Sequence, residues 1–147
     1  MIKIACATNY GNNFIKDHFG SAKKYLIFEI NENDFLNKNS EDKIIDLNNF
    51  DKFFKLIDEV SNIPFEEKMD GDPEKAKTIS QLLKPLGVNV LINKAMGPNI
   101  VRMRKQFVCV ITNINDIKET LIKLDIAKII EELKKTEGID KKIIYIK

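Results

Sequence analysis

Among its 147 residues the chain has no tryptophan, one histidine, two cysteines, four prolines and six glycines. Each shortage narrows what the protein can be. The two thiols, Cys6 and Cys109, lie far apart and each sits inside an apolar run. They form no CxxC pair and no ladder of spaced cysteines, so the plain reading is two buried free thiols in a reducing compartment. There is no apolar run of about 18 residues, the length a membrane-spanning helix needs. Met1 to Thr8 reads as a strand rather than a signal peptide, and a cytoplasmic protein is the expectation. Charge of one sign is also missing: 24 basic and 22 acidic residues leave a net charge of +2. That near balance leaves no footprint of a protein that wraps nucleic acid or lies on an anionic membrane.

What is present suits one globular domain over residues 1–147. The apolar fraction is 44% and the charged fraction 31%, both ordinary for a folded chain. A chain of this length buries roughly two thirds of the surface it exposes when unfolded. It needs neither a disulfide nor a structural metal to hold a core.

The hydrophobic pattern sets the expected order of elements. Ile2, Ile4 and Cys6 alternate with Ala5 and Ala7, and both faces read as buried, as in a central strand. Tyr25–Ile30 reads as a second strand, Asn31–Asp42 as a polar loop, and Lys43–Leu47 as a short third strand. With no helix between them, these three should form an antiparallel meander. Phe50, Phe53, Phe54, Ile57 and Val60 recur at helical spacing, which predicts an amphipathic helix ending near Asn62. Such a stripe serves a core or a subunit contact, and a homo-oligomer paired through this Phe50–Val60 helix is one expectation. Phe65–Gly71 reads as a connector.

From Asp72 onward helices and strands alternate, which requires parallel strands. Asp72 fits an N-cap, with Pro73 at the first helical position and Glu74 in the first turn. Ala76, Ile79, Leu82, Leu83 and Leu86 form the buried stripe of that helix. Gly87 closes it, and Pro85 shortens or kinks its end. Val88–Ile92 and Phe107–Ile111 read as strands. Gly97-Pro98-Asn99 opens a helix between them, and Asn115-Asp116 caps another through Leu124. Ile126–Lys135 is a further helical segment, ended by Gly138, and Lys142–Lys147 closes as a short Ile-rich strand.

In open α/β sheets, ligands bind where strand carboxyl ends and helix amino ends gather. Four loops are expected at that edge: Asn9–Ser21, Met69–Asp72, Asn93–Asn99 and Thr112–Asn115. Two of them lead into helix starts whose N–H groups attract anions. The first carries the sole histidine, in Asp17-His18-Phe19-Gly20. A lone histidine in a loop is often structural or merely exposed. It becomes a ligand candidate if Asp17 fixes its tautomer and Gly20 lets the backbone approach a bound group. Ala95-Met96-Gly97-Pro98-Asn99 is the second candidate. Its bland reading is an ordinary helix start; its functional reading adds the soft thioether of Met96.

These segments together carry a resemblance. Met1-Ile-Lys-Ile-Ala-Cys-Ala-Thr, the His18-Phe19-Gly20 turn, Gly71-Asp-Pro-Glu-Lys-Ala-Lys through Leu86-Gly87-Val88, Ala95-Met96-Gly97-Pro98-Asn99 and Val110-Ile111-Thr112 stand in order. The set resembles the dinitrogenase iron–molybdenum cofactor biosynthesis family over most of residues 1–31 and 70–125. The resemblance implies a ribonuclease H-like three-layer α/β domain, with a mixed five-stranded sheet flanked by helices. Residues 32–69 then read as an insertion bearing a helix, and 126–147 as a C-terminal extension of one helix and one strand. It also implies transient binding of an iron–sulfur-type or iron–molybdenum-type cluster or its precursor, with His18 as the metal ligand. Phe19, Gly20, Asp72, Met96, Gly97 and Asn99 would form the rest of the cradle. The implied partners are cluster donor or acceptor proteins.

Two other classes compete. A nuclease-like enzyme on this fold needs several carboxylates around two metal ions, one of them normally on the first strand; Ile2–Thr8 has no acidic residue. A regulatory module for a small anion or a protein would use the same edge without metal. Nucleophilic catalysis lacks a base network, because there is no second histidine to pair with a strand-borne cysteine. The expectation is a binding protein rather than an enzyme.

Overall fold

A computed structural model describes residues 1–37, 45–62 and 73–147. Its centre is a six-stranded mixed sheet in the order β3-β2-β1-β4-β5-β6. Strand β1 spans Ile2–Thr8 and β2 spans Lys24–Ile30. They pair antiparallel, Ile2 opposite Ile30 and Thr8 opposite Lys24. Strand β3, Lys55–Ser61, joins the far side of β2, again antiparallel. On the other side, β4 (Val90–Asn93), β5 (Val108–Thr112) and β6 (Ile144–Ile146) run parallel to β1 and to one another. The meander followed by parallel strands is the ribonuclease H-like arrangement, and β6 raises the strand count from five to six.

Alternation along the central strands explains the three layers, because successive side chains leave opposite faces. Ile2, Ile4 and Cys6 join one core and Ala5 and Ala7 the other. The first face is covered by α1 (Glu32–Asn37), α2 (Phe50–Phe53), α5 (Ile117–Leu121) and α6 (Ile126–Leu133), through Phe35, Phe50, Ile117, Leu121, Ile126 and Ile129. The second face is covered by α3 (Pro73–Leu83) and α4 (Ile100–Met103), through Ala76, Ile79, Leu83 and Met103. Helix α3 ends as the pattern requires. A 3₁₀ turn at Lys84–Leu86 carries Pro85, and Gly87 follows in the left-handed region at φ 82°. Asp116 and Asp125 each cap a helix, accepting from the N–H of Glu119 and of Lys128.

Residues 31–62 depart from the sequence reading in three ways. Glu32–Asn37 is a helix within the expected loop. Residues 45–47 are not in the sheet, and 43 and 44 of that expected third strand lie outside the described residues. The Phe50–Val60 helix stops after one turn. Phe50 and Phe54 stack at 4.7 Å, and Phe28 meets Phe50 edge-on at 5.9 Å. That turn satisfies the i, i+4 spacing of the rings, and Phe54 is already extended. Lys55–Ser61 then pairs with β2, whose main chain has an open edge, and tertiary pairing overrides the helical period. A bulge at Ile57 shifts the register, setting Asp58 opposite Ile27 and Leu56 opposite Phe28. The expected helical subunit contact is therefore absent in that form: Phe50 and Phe54 lie in the chain's own core. The Phe65–Gly71 connector and Asp72 fall outside the described residues.

The last 22 residues are integral to this packing. Helix α6 inserts Ile126 and Ile129 into the first core, and β6 covers the outer edge of β5. Glu132 anchors the return: its carboxylate accepts from Lys135 Nζ at 2.7 Å and from the Lys142 N–H at 2.6 Å. Ile129 is fully buried, so Ile129→Ala should cost about 3 kcal/mol in a urea unfolding measurement. A loss under about 1 kcal/mol would mean that the extension packs only loosely on the domain.

Candidate functional site

The carboxyl ends of β1, β4 and β5 reach one edge of the sheet. The start of β2 and the end of β3 reach the same edge, since Thr8 and Ser61 both lie opposite Lys24. The segment from Asn9 to Lys23 crosses this edge under several restraints. Thr8 Oγ1 donates to the Asn13 carbonyl at 2.7 Å and accepts from the Gly11 N–H at 2.9 Å. The Phe14 N–H donates to the Asn115 carbonyl, and the Ile117 N–H to that of Asn12.

Asn93, at the end of β4, holds the next stretch. Its side chain is fully buried. Its Oδ1 accepts from the Ile15 N–H at 3.2 Å, and its Nδ2 donates to the carbonyls of Asp17 (2.9 Å) and Ala95 (2.8 Å). One carboxamide thus ties the two candidate loops to each other. Beyond His18, a 3₁₀ turn at Phe19–Ser21 closes with the Ser21 N–H on the His18 carbonyl. Phe19 is buried and stacks on Tyr25 at 4.7 Å, and the Tyr25 hydroxyl donates to the Phe19 carbonyl at 3.0 Å. From the end of β3, Asn62 Nδ2 donates to the carbonyls of Gly20 and Ala22. His18 is therefore held by main-chain restraints on both sides.

Its side chain meets the second loop. A Cβ built on Gly97 would stand 2.6 Å from both Cγ and Nδ1 of His18, so the imidazole lies directly on the Gly97 α-carbon. Gly97 sits at φ 74°, a region that L side chains occupy at a cost. Both the space and the backbone conformation require glycine there. Gly20 has a parallel relation to α3: a Cβ on it would stand 2.5 Å from Cε of Lys75 and 3.0 Å from Cδ1 of Ile79. His18, Gly20, Lys75, Met96, Gly97 and Asn99 line one narrow cleft. Its free space is about 10 Å³, room for about one water molecule.

Of the residues expected from sequence, His18, Gly20, Met96, Gly97 and Asn99 line this cleft, Phe19 is buried in the core beside it, and Asp72 lies outside the described residues. Met96 is buried beneath the cleft, and Asn99 is buried with its Oδ1 accepting from Arg102 Nη1 at 3.0 Å. Asp17 contributes its carbonyl to the site through Asn93, while its side chain is exposed. One expectation fails. The first N–H groups of α4, on Ile100, Val101 and Arg102, donate to the carbonyls of Gly97, Pro98 and Asn99. That tight turn uses its own donors, so it is no open anion cradle.

Sequence reasoning missed Asn93, Asn62 and Lys75. Asn93 had a signal: a carboxamide closing the apolar run Val90-Leu91-Ile92 must find partners once buried. Lys75 lay inside the quoted Gly71–Lys77 motif, but nothing marked it as buried, because a lysine on a helix is usually exposed. The cysteines stand away from the cleft. Cys6 lies on the opposite face of the sheet, and burial pushes its thiol far above the ordinary range. Burial pushes Cys109, inside β5, up to about 12. Among the described residues no group of three or more His, Cys, Asp or Glu side chains could hold a metal ion, and no helix is long and apolar enough to cross a membrane.

Fold and site together define a three-layer α/β protein whose sole histidine is set against a glycine turn at the carboxyl edge of a mixed sheet. Residues 1–125 match the family model described as dinitrogenase iron-molybdenum cofactor, and the chain belongs to that family. This ties it to the handling of iron–molybdenum cofactor or related clusters. No curated protein and no solved structure shows significant similarity to the chain. The match ends before α6 and β6, so the sixth strand lies beyond the matched region.

Asn93→Ala removes the donor and acceptor that join the two loops and leaves the Ile15 N–H and two carbonyls without that partner. The expected cost is about 2–4 kcal/mol of stability, with faster amide exchange at residues 15–18 than in the sheet. Unchanged exchange in that stretch would show that the loop is held by its other restraints.

Proposed function

We propose that the protein is a non-catalytic carrier that transiently holds an iron–sulfur-type or iron–molybdenum-type cluster, or its precursor, as cargo. The observation that carries this reading is the placement of the His18 imidazole on Gly97, where the two candidate loops meet. His18 supplies a metal-binding nitrogen. Phe19, locked against Tyr25, sets the turn that presents it. Gly20 and Gly97 keep side chains out of the floor, and Met96 and Asn99 line its far wall. Asp72 belongs to the same proposed set as the residue preceding α3.

The donor set suits a carrier better than a permanent cluster site. A resident cluster is normally held by four thiolates. Here both thiols are buried within strands, and burial keeps them protonated. One imidazole can hold a cluster weakly and release it to an acceptor. The lack of an acidic residue in β1, and of a carboxylate group among the described residues able to hold a metal, favours carriage over two-metal nuclease chemistry. Cluster donor and acceptor proteins are the partners this role needs.

Anaerobic reconstitution with iron and sulfide tests the reading. The wild-type protein should gain broad visible absorption with bound iron and sulfide, and His18→Ala should weaken retention by about tenfold or more. Wild-type protein that stays colourless and metal-free would replace the carrier by a small-anion or protein-binding module at the same edge.

A further inference from the structure

On the first face of the sheet, α2 and α5 leave a cavity of about 390 Å³ between them. Leu26 and Phe28 of β2 line it from the sheet, Phe50 and Phe54 from α2 and its end, and Ile117 from α5. Small-molecule sites have volumes of roughly 300–1,000 Å³, with apolar walls and a few polar groups. This cavity fits that description. It is separate from the His18 cleft, which is lined by Ile79, Met96 and Met103 of the second core, whereas Phe28, Phe50 and Ile117 belong to the first.

The charge at its mouth is uneven. Asp51 and Asp116 stand there with Lys118, two carboxylates against one ammonium, and no other lining residue is charged. Lys24, close to Gly11 of the same lining, is paired with Glu59. The Lys118 ammonium lies 5.1 Å from the Phe50 ring centroid, over the ring. An aromatic face carries negative potential and attracts a cation placed there. The ring is held in position, stacked on Phe54 and met edge-on by Phe28. Lys118 itself is exposed, and its long stem can carry the ammonium into water instead. The wall thus accepts a positive charge, while a ligand anion would meet two carboxylates.

We propose that this cavity is a second ligand site, for a small organic cation with an apolar or aromatic body, such as a quaternary or protonated amine. The body fills the space between Phe28, Phe54 and Ile117. The cationic head takes the place of the Lys118 ammonium on the Phe50 ring, within the field of Asp51 and Asp116. A hydrated inorganic cation would make no use of the apolar walls. The site goes beyond the carrier reading and does not rest on it.

The test is titration of the full chain with benzyltrimethylammonium, followed by calorimetry and by the aromatic resonances. The ring signals of Phe28, Phe50 and Phe54 should shift, while those of Phe19 and Phe107, in the second core, stay in place. A Kd of about 1 mM or tighter is expected for a probe of this size. Benzyl alcohol, a neutral probe, and phenylacetate, an anionic one, should bind at least about tenfold more weakly. Lys118→Ala removes the competing cation and should tighten binding about threefold. Asp51→Asn should weaken it about threefold, and a thermal melt checks that each variant folds. Absence of shifts in both wild type and Lys118→Ala at about 10 mM probe, a concentration well above the expected Kd, overturns the site. Equal binding of the three probes overturns the choice of a cation. A folded Lys118→Ala that binds no tighter than wild type overturns the proposed exchange of one cation for another.

Discussion

The Asn93 carboxamide is the interaction on which the rest of the site depends. It closes β4, the second strand of the parallel half, and it is fully buried. A buried carboxamide is costly unless its donors and acceptor are used. Here the Ile15 N–H and the carbonyls of Asp17 and Ala95 use them. Those partners lie on the two candidate loops, which the carboxamide joins. Because β4 is hydrogen-bonded on both sides, the carboxamide is itself immobile, and it transfers the rigidity of the sheet to His18 on one loop and Gly97 on the other. The imidazole can rest on the Gly97 α-carbon because both backbones are fixed and because Gly97 carries no side chain.

This division of labour suits a protein that picks up and hands on a cargo. The main chain around the cleft is over-determined, through Asn93, Asn62, Tyr25 and Thr8. The groups that rest on the two glycines, the His18 ring on Gly97 and the Lys75 stem on Gly20, are side chains. The thiols contribute nothing at this edge: one lies on the far face, and both are held protonated by burial.

Much of this was legible in the sequence, because the relevant signals are local. The alternation in β1, the closure of α3 at Gly87, and the Gly97-Pro98-Asn99 turn follow from period and turn chemistry, and the structure keeps them with shifts of one or two residues. The edge where the loops gather followed from strand order. The Phe-rich segment misled because its first turn does satisfy helical spacing. The demand of the β2 edge for a partner is a long-range effect that leaves no mark on the period of residues 55–61. Lys75 stands inside the Gly71–Lys77 motif, but its burial left no mark there, because its stem packs on Gly20, 55 residues earlier. The sixth strand was readable as an Ile-rich tail, but its place beside β5 was not.

The central claim, that His18 binds the cargo metal directly, has one decisive measurement. Since the chain has a single histidine, labelling with ¹⁵N-histidine marks that side chain alone. Pulsed electron paramagnetic resonance of the anaerobically reconstituted, paramagnetic protein should then show a ¹⁵N hyperfine coupling of the size expected for directly bound imidazole. A loaded, paramagnetic protein with no ¹⁵N coupling beyond that of a distant nitrogen would contradict the claim.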